Sequence, residues 1–153
     1  MAPSFNIVLF HPEIPHNTGA AGRLALATGS RLHLIKPLGF SLEEKYIRRT
    51  GLDYWAKVDL SVWESVEEMQ QQAAPDARYW YLTTKVTHPH WDVEFQQGDY
   101  LIFGPESRGL PESLIHANDA TAITIPMPGK GSRSLNLSTA VAIVLYEGMR
   151  QIQ

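Results

Sequence analysis

The sequence predicts an α/β fold, a mostly parallel sheet with helices on both faces. Two observations carry this. Short apolar runs alternate with helical stretches along all 153 residues, the order that successive βα units impose. The first run, Phe5-Asn6-Ile7-Val8-Leu9-Phe10, is almost unbroken by polar residues, as in a strand covered on both faces. With no internal repeat and no linker, residues 1–153 read as one domain, a length that buries roughly 70% of the unfolded surface.

The elements follow in order. After the first strand and a loop with two prolines, Asn17 to Thr28 carries Leu24, Leu26 and several alanines, and Gly29 can close it as a helix. Arg31-Leu32-His33-Leu34-Ile35-Lys36 alternates before Pro37 and reads as the second strand. Ser41 with Glu44 forms a capping-box pattern that opens a short helix toward Arg49. Lys57 to Val62 is a third strand, and Glu64 to Ala74 a helix broken by Pro75. Tyr79 to Thr83 and Tyr100 to Gly104 are further strands. Pro111 to Ala117 is a short helix with its proline in the first turn, and Ala122 to Pro126 is the last strand. From Leu135 to Gln151 a helix places Leu137, Val141, Val144, Leu145 and Met149 on one stripe.

Composition excludes several classes. Hydrophobic residues make up 44% and aromatics 10%, too many for a disordered chain. A net charge of −3 is not that of a basic nucleic-acid coat. No apolar run of about 18 residues spans a membrane, and the N-terminus lacks the basic start and apolar core of a signal peptide. A cytoplasmic protein is expected. The chain has no cysteine, which removes disulfides, a thiol nucleophile and thiolate metal sites. The six histidines are His11, His16, His33, His88, His90 and His116. His88-Pro89-His90 has no carboxylate at ligand spacing, so no metal is expected.

Charge is uneven. From Arg23 to Lys57 seven basic residues, Arg48 and Arg49 among them, face three acids, a local net of +4. Asp59 to Asp76 holds five acids and no base. The first segment can meet phosphates, although a solvated helix explains it as well.

The chain has no P-loop, no Gly-x-Gly-x-x-Gly after a strand, no Gly-x-Ser-x-Gly and no His-Glu-x-x-His. Three Gly/Pro-rich polar loops sit instead at predicted strand ends, where open α/β sheets bind ligands. They are Pro12 to Arg23, Phe103 to Leu110, and Ile125 to Ser138. Taken singly, Asn17 reads as a helix N-cap, Gly109 as a turn, and Ser134 or Asn136 as another cap. Together they set an Asn, two Arg, a Glu and a Ser/Asn pair along one sheet edge.

Asn17-x-Gly19-x-x-x-Arg23, Phe103-Gly104-Pro105-Glu106-x-x-Gly109-Leu110, and Ile125-Pro126-Met127 through Ser134-Leu135-Asn136-Leu137-Ser138 resemble, in order, the three motifs of the SpoU RNA ribose 2′-O-methyltransferases of the SPOUT superfamily. Asn6 to Leu9, Pro12 to Pro15 and Gly51-Leu52-Asp53-Tyr54 resemble the short branch that methylates the wobble nucleotide, cytidine or a modified uridine at position 34 of certain tRNAs. The resemblance implies a C-terminal trefoil knot, which sequence reasoning alone would exclude because threaded chains are rare. It also implies a cleft for S-adenosylmethionine (SAM) at Leu82, Gly104, Ile125, Met127 and Ser134, and no metal. Arg23, Asn17, Glu106, Ser134 and Asn136 take the catalytic roles, and Arg23, Arg48 and Arg49 would touch RNA. No room remains for a separate RNA-binding domain, so tRNA contacts would come from a homodimer of this domain. Because an arginine stays protonated, Arg23 is expected to hold phosphate and hydroxyl and to stabilise oxyanion charge rather than act as a base.

Three alternatives compete: a non-catalytic RNA-binding or assembly factor of the same fold, methylation of another RNA site, and a small-molecule enzyme with a nucleotide cofactor. The complete motif set weighs against the first. The missing dinucleotide fingerprint weighs against the last.

Overall fold

Residues 2–43 and 54–153 are described by the computed structural model. The order is β1 (Asn6–Phe10), α1 (Pro15–Thr28), β2 (Arg31–Ile35), β3 (Leu60–Trp63), α2 (Val66–Gln72), β4 (Tyr79–Leu82), β5 (Tyr100–Phe103), α3 (Glu112–Ala117), β6 (Ala122–Ile123) and α4 (Leu137–Ile152). Single 3₁₀ turns lie at Trp55–Lys57, His90–Asp92 and Asp119–Thr121.

The described strands form one six-stranded sheet in the order β3-β2-β1-β5-β4-β6. Every pairing is parallel. Side chains alternate between faces along each strand, and two apolar clusters divide accordingly. Ile7, Leu9, Leu32, Leu34, Leu101 and Phe103 pack with Ala21 and Ala25 of α1 and with Val141, Val144 and Leu145 of α4. Val8, Ile35, Tyr81 and Ile102 pack with Val66 and Met69 of α2 and Ile115 of α3. Helices therefore cover both faces, and every strand delivers its carboxyl end to one edge.

Element boundaries moved for identifiable reasons. The first helix begins at Pro15, not Asn17, because proline occupies its first turn and a carboxylate from a distant loop binds the amides ahead of it. Trp55–Lys57 turns instead of extending, so the third strand starts at Leu60. Pro111 lies just outside its helix, as N-cap. Ser65 caps α2 by accepting from the Glu68 amide, which trims the expected helix at its start. Asn136 does the same for α4. The last strand pairs with β4 only over Ala122–Ile123. Beyond it Thr124 donates to His88 O at 2.9 Å and accepts from the His90 amide at 2.8 Å, and the chain then meets Pro126, which has no amide hydrogen to pair. The helix expected from Ser41 lies outside the described residues, apart from Ser41 Oγ accepting from the Glu43 amide at 3.1 Å.

His33 sits on β2, 2% exposed. Its Nδ1 accepts from the Trp63 indole at 3.0 Å and its Nε2 meets Asn6 Oδ1 at 2.9 Å. Burial, then the Arg31 charge, lowers its pKa to about 4, so the ring is neutral at physiological pH. No helix of the described residues is long and apolar enough to cross a membrane.

Candidate active site

The loops leaving β4, β5 and β6 and the start of α4 enclose a cleft of about 730 Å³, within the usual range of small-molecule sites. Leu82, Gly104, Ile125, Met127 and Ser134 all line it, as do Asn17, Glu106 and Asn136. Gly104 makes the wall possible. A Cβ there would run into the backbone of Gly109 and Leu110, 2.8 Å from Gly109 Cα, so only glycine lets the loop fold back onto the strand end. Gly109 completes that turn at φ +70°, with its amide donating to Pro105 O at 2.9 Å.

A chain of polar contacts holds the loops in register. One Glu106 carboxylate oxygen accepts from the Glu13 amide at 2.8 Å. The other accepts from the Ile14 amide at 2.9 Å and from Asn17 Nδ2 at 3.2 Å. This carboxylate caps α1, whose own N-cap residue, Ile14, has no side-chain acceptor, and it suits the positive end of the helix dipole. Asn17 Oδ1 in turn accepts from Asn136 Nδ2 at 3.2 Å. Asn136 Oδ1 accepts from the amides of Ser138 and Thr139 and from the Ser138 hydroxyl. Asn17 is thus no N-cap but a link between the Glu106 loop and the start of α4. In the opposite direction, the Glu13 carboxylate accepts from the Ser107 amide and hydroxyl, both at 2.8 Å. Those two bonds lower its pKa.

The arrangement therefore joins Glu106 and Asn136 through Asn17, which is hydrogen-bonded to each. Ser134 lies exposed on the rim, its carbonyl accepting from the Ser132 hydroxyl at 2.7 Å. Arg23 is separate. It is exposed on α1, outside the cleft walls, with its guanidinium carbon 5.7 Å from the Tyr54 ring centroid. The Tyr54 hydroxyl donates to Gly19 O at 2.9 Å, one turn earlier on the same helix. Arg48 and Arg49 lie outside the described residues. Sequence reasoning missed Glu13, Ser107 and the wall residues Thr83, Lys85 and Arg133. Thr83 and Lys85 follow β4 just beyond Leu82, which the motif resemblance names. Nothing local marks Glu13 and Ser107 as partners.

A parallel α/β sheet with a ligand-sized cleft among glycine-bearing loops at its carboxyl edge defines a class of small-molecule-binding α/β enzymes. Within that class the chain belongs to the SpoU rRNA methylase family, which it matches over residues 4–146. It is 48% identical over 149 residues to the tRNA (cytidine(34)-2′-O)-methyltransferase of Saccharophagus degradans, covering 97% of this chain and 96% of that one. To the enzyme of the same name from Escherichia coli K12 it is 48% identical over 148 residues, covering 96% and 93%. A solved structure described as giving insight into 2-OH methylation of C/U34 on tRNA superposes with a TM-score of 0.89 at 44% identity, covering 96% and 95%.

Proposed function

We propose that this protein is a SAM-dependent methyltransferase that methylates the ribose 2′-hydroxyl of the wobble nucleotide, cytidine or uridine 34, of tRNA, acting in the cytoplasm. The single observation that carries this reading is the cleft itself. All three motif loops contribute to its walls beside the end of β4, and the Glu106–Asn17–Asn136 chain ties those loops together. The reading is further supported by relatives of that name across nearly the whole chain.

The cleft suits SAM in size, and its lining joins apolar side chains such as Leu82, Ile125 and Met127 with a few polar groups. Leu82, Gly104, Ile125, Met127 and Ser134 would hold it. Bound SAM supplies an electrophilic methyl group to an oxygen nucleophile. The protein's part is alignment: Glu106, Asn17 and Asn136 keep both helix starts fixed relative to the cleft, and fixed alignment supplies much of the acceleration in such a displacement. Arg23 would hold the substrate phosphate and stabilise charge on the 2′-oxygen.

We propose the trefoil knot of the superfamily for the segment from β5 to α4. We also propose a homodimer. Arg23 lies outside its own cleft, while Leu26 of α1 and Ile143 and Tyr146 of α4 are exposed apolar residues on helices of one face. A partner seated on that face would bring a second Arg23 toward the site. Arg48 and Arg49 would extend the tRNA surface.

The test is incubation with tritiated SAM and tRNA from a strain lacking this protein, followed by mapping of the methylated nucleotide. Label in the 2′-O-methyl group of nucleotide 34 is expected. Label elsewhere, or none, overturns the reading. In Arg48→Glu with Arg49→Glu, tRNA affinity should fall and lose salt dependence while SAM affinity holds.

A further inference from the structure

One strained residue at the sheet edge has no part in the chemistry above. His11, directly after β1, has φ +50° and is the one non-glycine described residue with positive φ. Its ring lies against Phe10, centroids 3.7 Å apart and planes 23° from parallel. Its amide donates to Ile35 O at 3.0 Å, which fixes its place beside β2. That backbone role asks nothing of an imidazole, since asparagine or glycine adopts the same conformation at no greater strain. Packing does not ask for the ring either, because Phe10 and His11 are both only half-buried.

The position relative to the cleft is set by topology. Leu9 pairs with Phe103, so Phe10 and His11 leave β1 at the same carboxyl edge at which Gly104 and Pro105 leave β5. Arg108 joins the two places. It is exposed, it lines the cleft, and its charge is close enough to act on His11. Burial first and then the Arg108 charge lower the pKa of His11, which favours the uncharged ring.

We infer that the Phe10–His11 ring pair and Arg108 form a docking shelf for an unpaired nucleotide adjacent to the reacting one, its base on the rings and its phosphate on the guanidinium. This rests on RNA being the substrate. Flat side chains take any base on their faces, and a neighbouring arginine supplies the phosphate contact, which is how single-stranded RNA is commonly held. Phe10 and His11 are not lining residues of the cleft, so the ring pair positions the substrate and touches neither SAM nor the 2′-oxygen.

The experiment measures steady-state methyl transfer to tRNA by the full chain, comparing wild type with His11→Asn and His11→Phe. Asparagine keeps the backbone conformation and removes the ring. Phenylalanine keeps an aromatic face. His11→Asn should raise KM for tRNA about tenfold, the scale of losing one stacked base, with kcat and SAM affinity unchanged, and His11→Phe should stay within threefold of wild type. Arg108→Gln should lower the slope of log affinity against log salt by about one. A wild-type KM in His11→Asn, or equal losses in His11→Asn and His11→Phe, overturns the shelf. A wild-type protein inactive on all RNA overturns the substrate reading, whereas an active wild type with an indifferent His11→Asn overturns the shelf alone.

Discussion

Replacing Glu106 separates positioning from chemistry at the centre of the site. Its carboxylate accepts three hydrogen bonds, from the amides of Glu13 and Ile14 and from Asn17 Nδ2. A buried bond to a charged group nets about 1.5–3 kcal/mol. These are half-exposed, and water replaces part of each, so about 1 kcal/mol apiece is the appropriate scale for Glu106→Ala, or about 3 kcal/mol in all. For a domain of this size, with roughly 2–4 °C per kcal/mol, the melting temperature falls by about 6–12 °C. Glu106→Gln keeps the shape but turns an amide NH2 toward donors and removes the charge at the start of α1, so about half that drop is expected. Calorimetric unfolding, titration with SAM and methyl transfer at saturating substrates read the three consequences separately. Both variants should lose stability and SAM affinity together, with kcat at saturation falling less than either constant implies. An unchanged melting temperature with a hundredfold loss of kcat would refute the reasoning and place Glu106 on the reacting atoms.

Three further outcomes follow from other parts of the molecule. Arg23→Ala should leave SAM affinity within a few-fold in calorimetric titration while methyl transfer falls about 10²-fold, the scale of losing an oxyanion-stabilising donor. Arg23→Lys should not restore the rate, because it lacks the planar fork. For His33, the folded pKa of about 4 lies below the ordinary 6.5, so between those values the unfolded chain binds the extra proton. The stability this group contributes is full above pH 6.5 and is lost as pH falls toward 4, by about 3 kcal/mol at 1.36 kcal/mol per unit. Urea midpoints measured across that window should flatten in His33→Asn. Sedimentation at micromolar concentration should give about twice 17.2 kDa, and a species of 17.2 kDa alone would count against a partner supplying Arg23.

The walls of the cleft were legible because their signal is local. A strand followed by Gly and Pro marks its own carboxyl end at Gly104, and the motif resemblance names Leu82, Ile125 and Met127, which line the same cavity. The work done by Glu106 was not legible. Its partners are 89 to 93 residues away in the chain, and no periodicity connects them. Asn17 shows the same limit, since the side chain that would cap its helix locally is drawn off by Glu106 and Asn136. The early end of the last strand likewise depended on Thr124 exchanging backbone bonds with residues 88 and 90, a competition between segments that neither one signals alone.

The placement of β1 between β2 and β5 has a consequence for biosynthesis. Of the strands in this sheet β1 is synthesised before the others and is an interior one, and its partner across the Asn6–Tyr100 pairing emerges 94 residues later. At 5–20 residues per second that is a wait on the order of 5–20 s, during which one edge of β1 presents unpaired amides and carbonyls beside Ile7, Val8 and Leu9. Such an edge is sticky toward other strands. The segment that closes the cleft, Ser134 to Ser138, comes later still. A nascent chain stalled before β5 would carry an incomplete sheet, and one stalled before Ser134 an unfinished pocket, so these ribosome-bound intermediates are the ones to which a holdase chaperone is most useful.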